Sequence, residues 1–177
     1  MTELRVGVDI PYLGHPSEVR EYAQQMEALG FHHLGFSAHL CSTTDTVFPG
    51  PMFSFDEPWR ETFTLAAFVA AVTTRVEINT AMLLLPLYEP VLAAKQAAEV
   101  DNLSEGRLRI GASISWNRRE CDAVGVDPST RGARLINPCS RIPRSTRCEA
   151  LKLTWVILTG QLFVRWRTHH AFALRFQ

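Results

Sequence analysis

Residues 76–120 read VEINTAMLLLPLYEPVLAAKQAAEVDNLSEGRLRIGASISWNRRE, and this stretch decides the fold. Val76, Ile78 and Thr80 alternate with Glu77 and Asn79, the period of two expected of a strand. The apolar run at residues 82–85 stops at Pro86. Pro90 suits the first turn of a helix, where its missing N–H is no loss, and Leu92, Lys95, Gln96, Glu99 and Leu103 continue that helix to Ser104, Glu105 and Gly106. Residues 107–112 restart a strand, which completes one βαβ unit. Two parallel strands joined by a helix bring their C-terminal ends, Thr80-Ala81-Met82 and Ala112-Ser113-Ile114-Ser115, to one rim. Ligands of α/β folds bind at such rims, so a site is expected there.

Working outward toward the N-terminus, residues 63–72 have a small-residue face of Ala66, Ala67, Ala70 and Ala71 beside Phe63, suited to close helix packing. Asp56 or Glu57 is expected to start that helix, with Pro58 in its first turn. Residues 41–57 form a long connection containing Pro49, Gly50 and Pro51, and long loops at such a rim are often functional. Residues 33–37 read as a short strand. Before it, Val19, Tyr22, Ala23, Met26 and Leu29 make an apolar stripe capped by Ser17 and stopped by Gly30. Residues 4–10, LRVGVDI, open the chain as a strand. The pattern is β-α-β-α-β-α-β, with right-handed crossovers that cover both faces of a parallel sheet.

On the other side, Asn117-Arg118-Arg119-Glu120 has the form of a helix cap, with Glu120 placed to reach back toward the start of the helix. Gly125-Val126-Asp127-Pro128 closes that short helix, and residues 131–135 begin another. Residues 136–148 contain two prolines and three arginines and follow neither structural period. Residues 151–164 are apolar without a clean polar face. The expected division is therefore an ordered unit at 1–135 and an irregular basic and apolar segment at 136–177.

Composition sets the outer bounds. The 177 residues are 46% hydrophobic and 20% charged, as in an ordinary globular domain. No run approaches the ~20 apolar residues that span a bilayer, and the first residues lack the form of a signal peptide, so the expectation is a cytoplasmic protein without membrane partners. Cys41, Cys121, Cys139 and Cys148 form no CxxC spacing, which favours incidental thiols over a metal or redox site. The net charge of +0 hides an asymmetry. Residues 1–128 hold 9 Lys+Arg against 17 Asp+Glu (−8), and residues 129–177 hold 9 Lys+Arg against Glu149 alone (+8). A nucleic-acid-binding tail would be basic but not interleaved with Val156, Ile157, Leu158, Leu162, Phe163 and Val164, so no nucleic-acid partner is expected. The sharp change after Leu135 is instead read as a segment out of the ancestral reading frame. An intact frame at the DNA level, with no longer barrel in either neighbouring frame, would refute that.

Residues 73–135 resemble the centre of the bacterial luciferase-like monooxygenases, including the coenzyme F420-dependent oxidoreductases that share their fold. EYAQQMEALGFHHLGFSAHL, at residues 21–40, resembles the same family's first helix and second strand. The most specific parts are the LP-x-x-x-P-V-L-x-A-K-Q-A-A run at 85–98 and the S-x-G-R-x-x-x-G strand at 104–111. The resemblance implies a partial (β/α)8 TIM barrel of about four βα units, with FMN or coenzyme F420 bound at the C-terminal rim. It also implies that Ala81-Met82 is a strand bulge with a non-proline cis peptide supporting the cofactor ring. From the residues alone, that pair is simply a strand exit.

Ser37-Ala38-His39 matches a family Ser-Asp-His segment near the reactive edge of the ring. His39 keeps the proton-exchanging group, and Ala38 lacks the carboxylate. On its own chemistry, a histidine here is more often a structural hydrogen-bonder, and the missing carboxylate at Ala38 favours that reading further. Residues 111–117, GASISWN, stand where the family has Gly-x-Gly-x-Gly-Trp-Asn, so Ser113, Ser115 and Asn117 are the implied cofactor contacts, with helix capping the simpler role for Asn117. The implied activity is that of a flavin- or F420-dependent oxidoreductase or monooxygenase acting on a small organic substrate by hydride transfer or oxygenation. The competing expectation is a truncated, inactive half-barrel. Its first and fourth strands would be open edges, so that it self-associates through them or through the Ala-rich helix as a homo-oligomer.

Overall fold

The computed structural model describes residues 4–11, 14–41 and 59–136 and, as backbone, two strands at 154–158 and 161–165. The first strand, β1 (Gly7–Asp9), leads into α1 (Pro16–Ala28) and β2 (His33–Phe36). After α2 (Thr62–Val72) come β3 (Glu77–Leu83), α3 (Pro90–Leu103) and β4 (Leu108–Ala112). Short helices α4 (Arg118–Ala123) and α5 (Arg131–Ile136) follow, and then β5 (Thr154–Leu158) and β6 (Gln161–Arg165). Strands β1 to β4 are parallel neighbours in chain order, joined by helices, which is the expected alternation of a partial TIM barrel.

The segment expected to be irregular contains two strands. β6 pairs antiparallel with β4, and β5 pairs antiparallel with β6, so the sheet order is β1-β2-β3-β4-β6-β5. The fourth strand is therefore not an open edge. The reason is chemical: apolar runs such as TWVIL and QLFVR have no clean polar face, yet an open strand edge offers them backbone partners.

Helix ends follow local chemistry with small departures from the sequence reading. His15, not Ser17, caps α1: its Nδ1 accepts the Ser17 amide at 3.2 Å, and Glu18 reaches back to the His15 amide at 2.9 Å. Glu61 caps α2 by accepting from Phe63 and Thr64, so the helix begins later than expected, and Asp56, Glu57 and Pro58 lie outside the described residues. Glu89 caps α3 in the same way ahead of Pro90 at the first position. At Gly30 the chain takes a φ of +88°, which ends α1 as the left-handed stop anticipated there.

One face of the sheet carries the core. Ile10, Leu34, Phe36, Ile78, Leu108 and Ile110 pack against Val19 and Ala23 of α1, Phe63, Ala66, Val69 and Ala70 of α2, and Ala97 and Val100 of α3. Each fully buried aliphatic side chain contributes about 1.5–3 kcal/mol. Leu29 falls outside the buried part of its stripe and is exposed. The Ala-rich helix α2 is packed against α1, α3 and β3.

The opposite face is polar and tight. Arg5 and Arg109 both pair with Glu77, at 3.2 and 2.6 Å. The His33 ring lies where a Cβ on Gly7 would be, 1.9 Å from His33 Nε2, so any larger residue there would have to displace that ring. This is the face that turns toward the axis in a closed barrel. No helix among the described residues is long and apolar enough to cross a membrane.

Candidate active site

The parallel strands deliver their C-terminal ends to one rim. Beyond β2, Ser37 Oγ donates to the Ala81 carbonyl at 3.3 Å and ties the second strand's exit to the third's. The Ala81-Met82 peptide is cis and lies within a register irregularity between Thr80 and Leu83, at the position the family resemblance implied. Ser113 donates its amide to Leu83 O at 2.8 Å, so the exit of β4 runs beside that bulge. Ala81, Met82 and Ser113 thus form one half of the rim, all partly accessible.

The other half is built around Glu120, whose carboxylate has no solvent exposure. Its Oε1 accepts the Leu40 amide at 2.6 Å and lies 3.1 Å from His39 Nδ1. Its Oε2 accepts from Ser115 Oγ at 3.4 Å. A carboxylate deprived of water needs such donors to remain buried. His39 is enclosed by two indoles, with ring centroids 4.5 Å away for Trp59 and 6.0 Å for Trp116, both edge-on. Burial pushes the neighbouring Cys121 thiol up from its ordinary range, so it is not a ready nucleophile.

Ser115 and Asn117 are turned into the protein. Asn117 accepts from Arg119 N at 3.0 Å and caps α4, and its own amide donates to Ser115 Oγ at 3.3 Å. Ser115 is buried at a φ of +62°, in the left-handed region that suits glycine, and its carbonyl accepts Arg131 Nη1 at 2.6 Å. The serine thus occupies a glycine-type backbone, and its hydroxyl is committed inward. The structure accordingly brings Ala81, Met82 and Ser113 together on one side, and His39 and Ser115 together through Glu120.

Sequence reasoning missed what Glu120 does. It was expected to reach back over Asn117, whereas the structure sends it across to residues 39 and 40. The local signal, a glutamate three residues into a helix, was present. Its partner lies 81 residues earlier, and only the folded rim brings the two together. Trp59 was missed for the same reason.

Leu40, Ile114 and Trp116 remain 37%, 46% and 43% exposed, which leaves apolar surface on the segments that leave β2 and β4. Asn79 Oδ1, on the polar face two residues before the bulge, is buried with no hydrogen-bond partner and can accept from a donor.

Comparison with known proteins places these features in a wider group. A family model described as luciferase-like monooxygenase matches residues 1–137. The chain is 38% identical over 92 residues to an uncharacterized protein of Mycobacterium tuberculosis, spanning 52% of this chain and about a third (32%) of that protein. Among solved structures, monooxygenase RslO1 from Streptomyces bottropensis is similar at a TM-score of 0.62 with 24% identity, over 92% of this chain and 48% of that one. The oxygenating constituent of 3,6-diketocamphane monooxygenase from Pseudomonas putida, in complex with FMN, gives a TM-score of 0.62 with 14% identity, over 94% and 45%. The coenzyme F420-dependent tetrahydromethanopterin reductase of Methanopyrus kandleri gives 0.56 with 15% identity, over 77% and 39%. At these identities the structural likeness concerns the fold alone.

Proposed function

This chain belongs to the luciferase-like monooxygenase family, and from that premise we propose that it carries the His39 side of a flavin- or F420-dependent oxidoreductase site. The observation that carries the reading is His39, held by the buried Glu120 and flanked by Trp59 and Trp116, at the rim that also presents the Ala81-Met82 bulge. Ala81, Met82 and Ser113 would line one side of the ring, with Ser115 and Asn117 shaping the backbone behind it. When bound, the cofactor supplies hydride transfer or the two-electron activation of O₂ that oxygenates a small organic substrate. The protein's part is to orient the ring, to keep water off it with apolar groups, and to hold a proton-exchanging group at His39. The unit at 1–135 would be the part that carries this chemistry, with the strands at 154–158 and 161–165 extending its sheet.

Titration with FMN and with F420, read by absorbance and melting temperature, tests the reading. A ligand at 100 times its Kd that binds only the folded state stabilises by about 2.7 kcal/mol, so a rise of several degrees is expected with one of the two. No shift with either counts against it. A second reading, a self-associating half-barrel without activity, draws on β1 and β5 standing at the two ends of the sheet. Light scattering that gives a homo-oligomer, together with no cofactor response, would favour it.

A further inference from the structure

We propose that Glu120 is a positioning residue for His39: it takes the proton on Nδ1, so that the neutral imidazole carries its basic lone pair on Nε2. The tautomer stands on the geometry alone, and its catalytic meaning rests on the function proposed above.

Glu120 Oε1 already accepts the Leu40 amide at 2.6 Å, and a backbone N–H can only donate. That oxygen is therefore oriented as an acceptor, and the group 3.1 Å away on its other side is His39 Nδ1. A fully buried carboxylate has no water to complete its shell. Among the described residues the donors within reach are the Leu40 amide, the Ser115 hydroxyl and the imidazole, so the imidazole contributes most by placing its proton on Nδ1. Once that nitrogen is protonated in a neutral ring, Nε2 is the acceptor.

The carboxylate is itself held in place. Asn117 caps α4 and fixes the helix that bears Glu120. Ser115 sets the turn before it, and Arg131 of α5 grips the Ser115 carbonyl at 2.6 Å. Trp59 and Trp116 both meet the ring edge-on, at centroid distances of 4.5 and 6.0 Å. Glu120 thus fixes both the orientation and the tautomer of a group it does not share an element with, and Leu40 fastens the chain beyond β2 to the same oxygen.

The test is long-range proton–nitrogen NMR correlation on the full chain labelled with nitrogen-15 histidine, in mildly alkaline buffer. The His39 signals are assigned by their loss in His39→Gln. The expected result is a protonated-type Nδ1 and a pyridine-type Nε2, and in Glu120→Gln a ratio of Nδ1–H to Nε2–H lower by about tenfold. An Nε2–H tautomer in the unsubstituted protein overturns the proposal whether or not the variant folds. So does an unchanged ratio in a folded Glu120→Gln protein. No cofactor is needed for this measurement. A protein that binds neither FMN nor F420 yet shows the Nδ1–H tautomer keeps the positioning role and loses the oxidoreductase reading.

Discussion

Thr80 Oγ1 donates to the Gly111 carbonyl at 3.0 Å and accepts the Gly111 amide at 3.1 Å, both ends of the contact being fully buried. The β3–β4 register shifts between Thr80 and Leu83, and there the threonine hydroxyl stands in for a backbone partner. Thr80→Val keeps the shape and leaves a buried N–H and C=O unpaired. We expect a loss of about 2 kcal/mol in urea unfolding, with an unchanged m-value.

Arg107 fastens the opposite end of the same strands. Its guanidinium donates to the carbonyls of Ala70, Thr73, Val76 and Ser104 and to Thr73 Oγ1, all between 2.8 and 3.1 Å. A lysine keeps the charge but cannot reproduce the planar fork. Arg107→Lys should cost about 2 kcal/mol and Arg107→Ala more, measured by denaturant midpoint.

Glu27 of α1 receives the amides of Thr74, Arg75 and Val76 at 2.9, 2.6 and 2.9 Å. Burial opposes its ionisation, but the hydrogen bonds from Val76, Arg75 and Thr74 outweigh that and hold its pKa below the ordinary 4.5. A carboxylate with a lowered folded pKa contributes stability above its unfolded value and loses it as pH falls through the folded one. The wild-type chain should therefore lose stability below pH 4.5, and Glu27→Gln should lose less over that window. Glu27→Ala should cost about 2 kcal/mol at neutral pH. Melting temperature as a function of pH checks both.

Ser115 separates backbone strain from side-chain bonding. Its φ of +62° costs a non-glycine residue about 1 kcal/mol, while its hydroxyl takes the Asn117 amide and reaches Glu120. Ser115→Ala should lose the bonds and keep the strain, for a net loss of about 1–2 kcal/mol. Ser115→Gly loses the same bonds but relieves the strain, and should be the more stable of the two by about 1 kcal/mol. Parallel thermal melts give the order directly.

The alternation of strand and helix and the rim were legible in residues 76–120, because a strand's period of two and a proline-opened helix are local properties of the chain, whereas the bulge at Ala81-Met82 was implied only by the family resemblance. The same is true of the Gly30 stop and the Asn117 cap. Other features were not local. Burial chose Ala93, Ala97 and Val100 of α3 over the Leu92 and Leu103 side, since a small-residue face lets a helix approach the sheet. Tertiary structure also decided that the apolar run after residue 150 pairs with β4, and that Glu120 turns away from its own cap to His39. Both depend on partners far along the chain: an unfilled strand edge for the first, and amide and imidazole donors for the second, supplied only where the ends of separate elements meet.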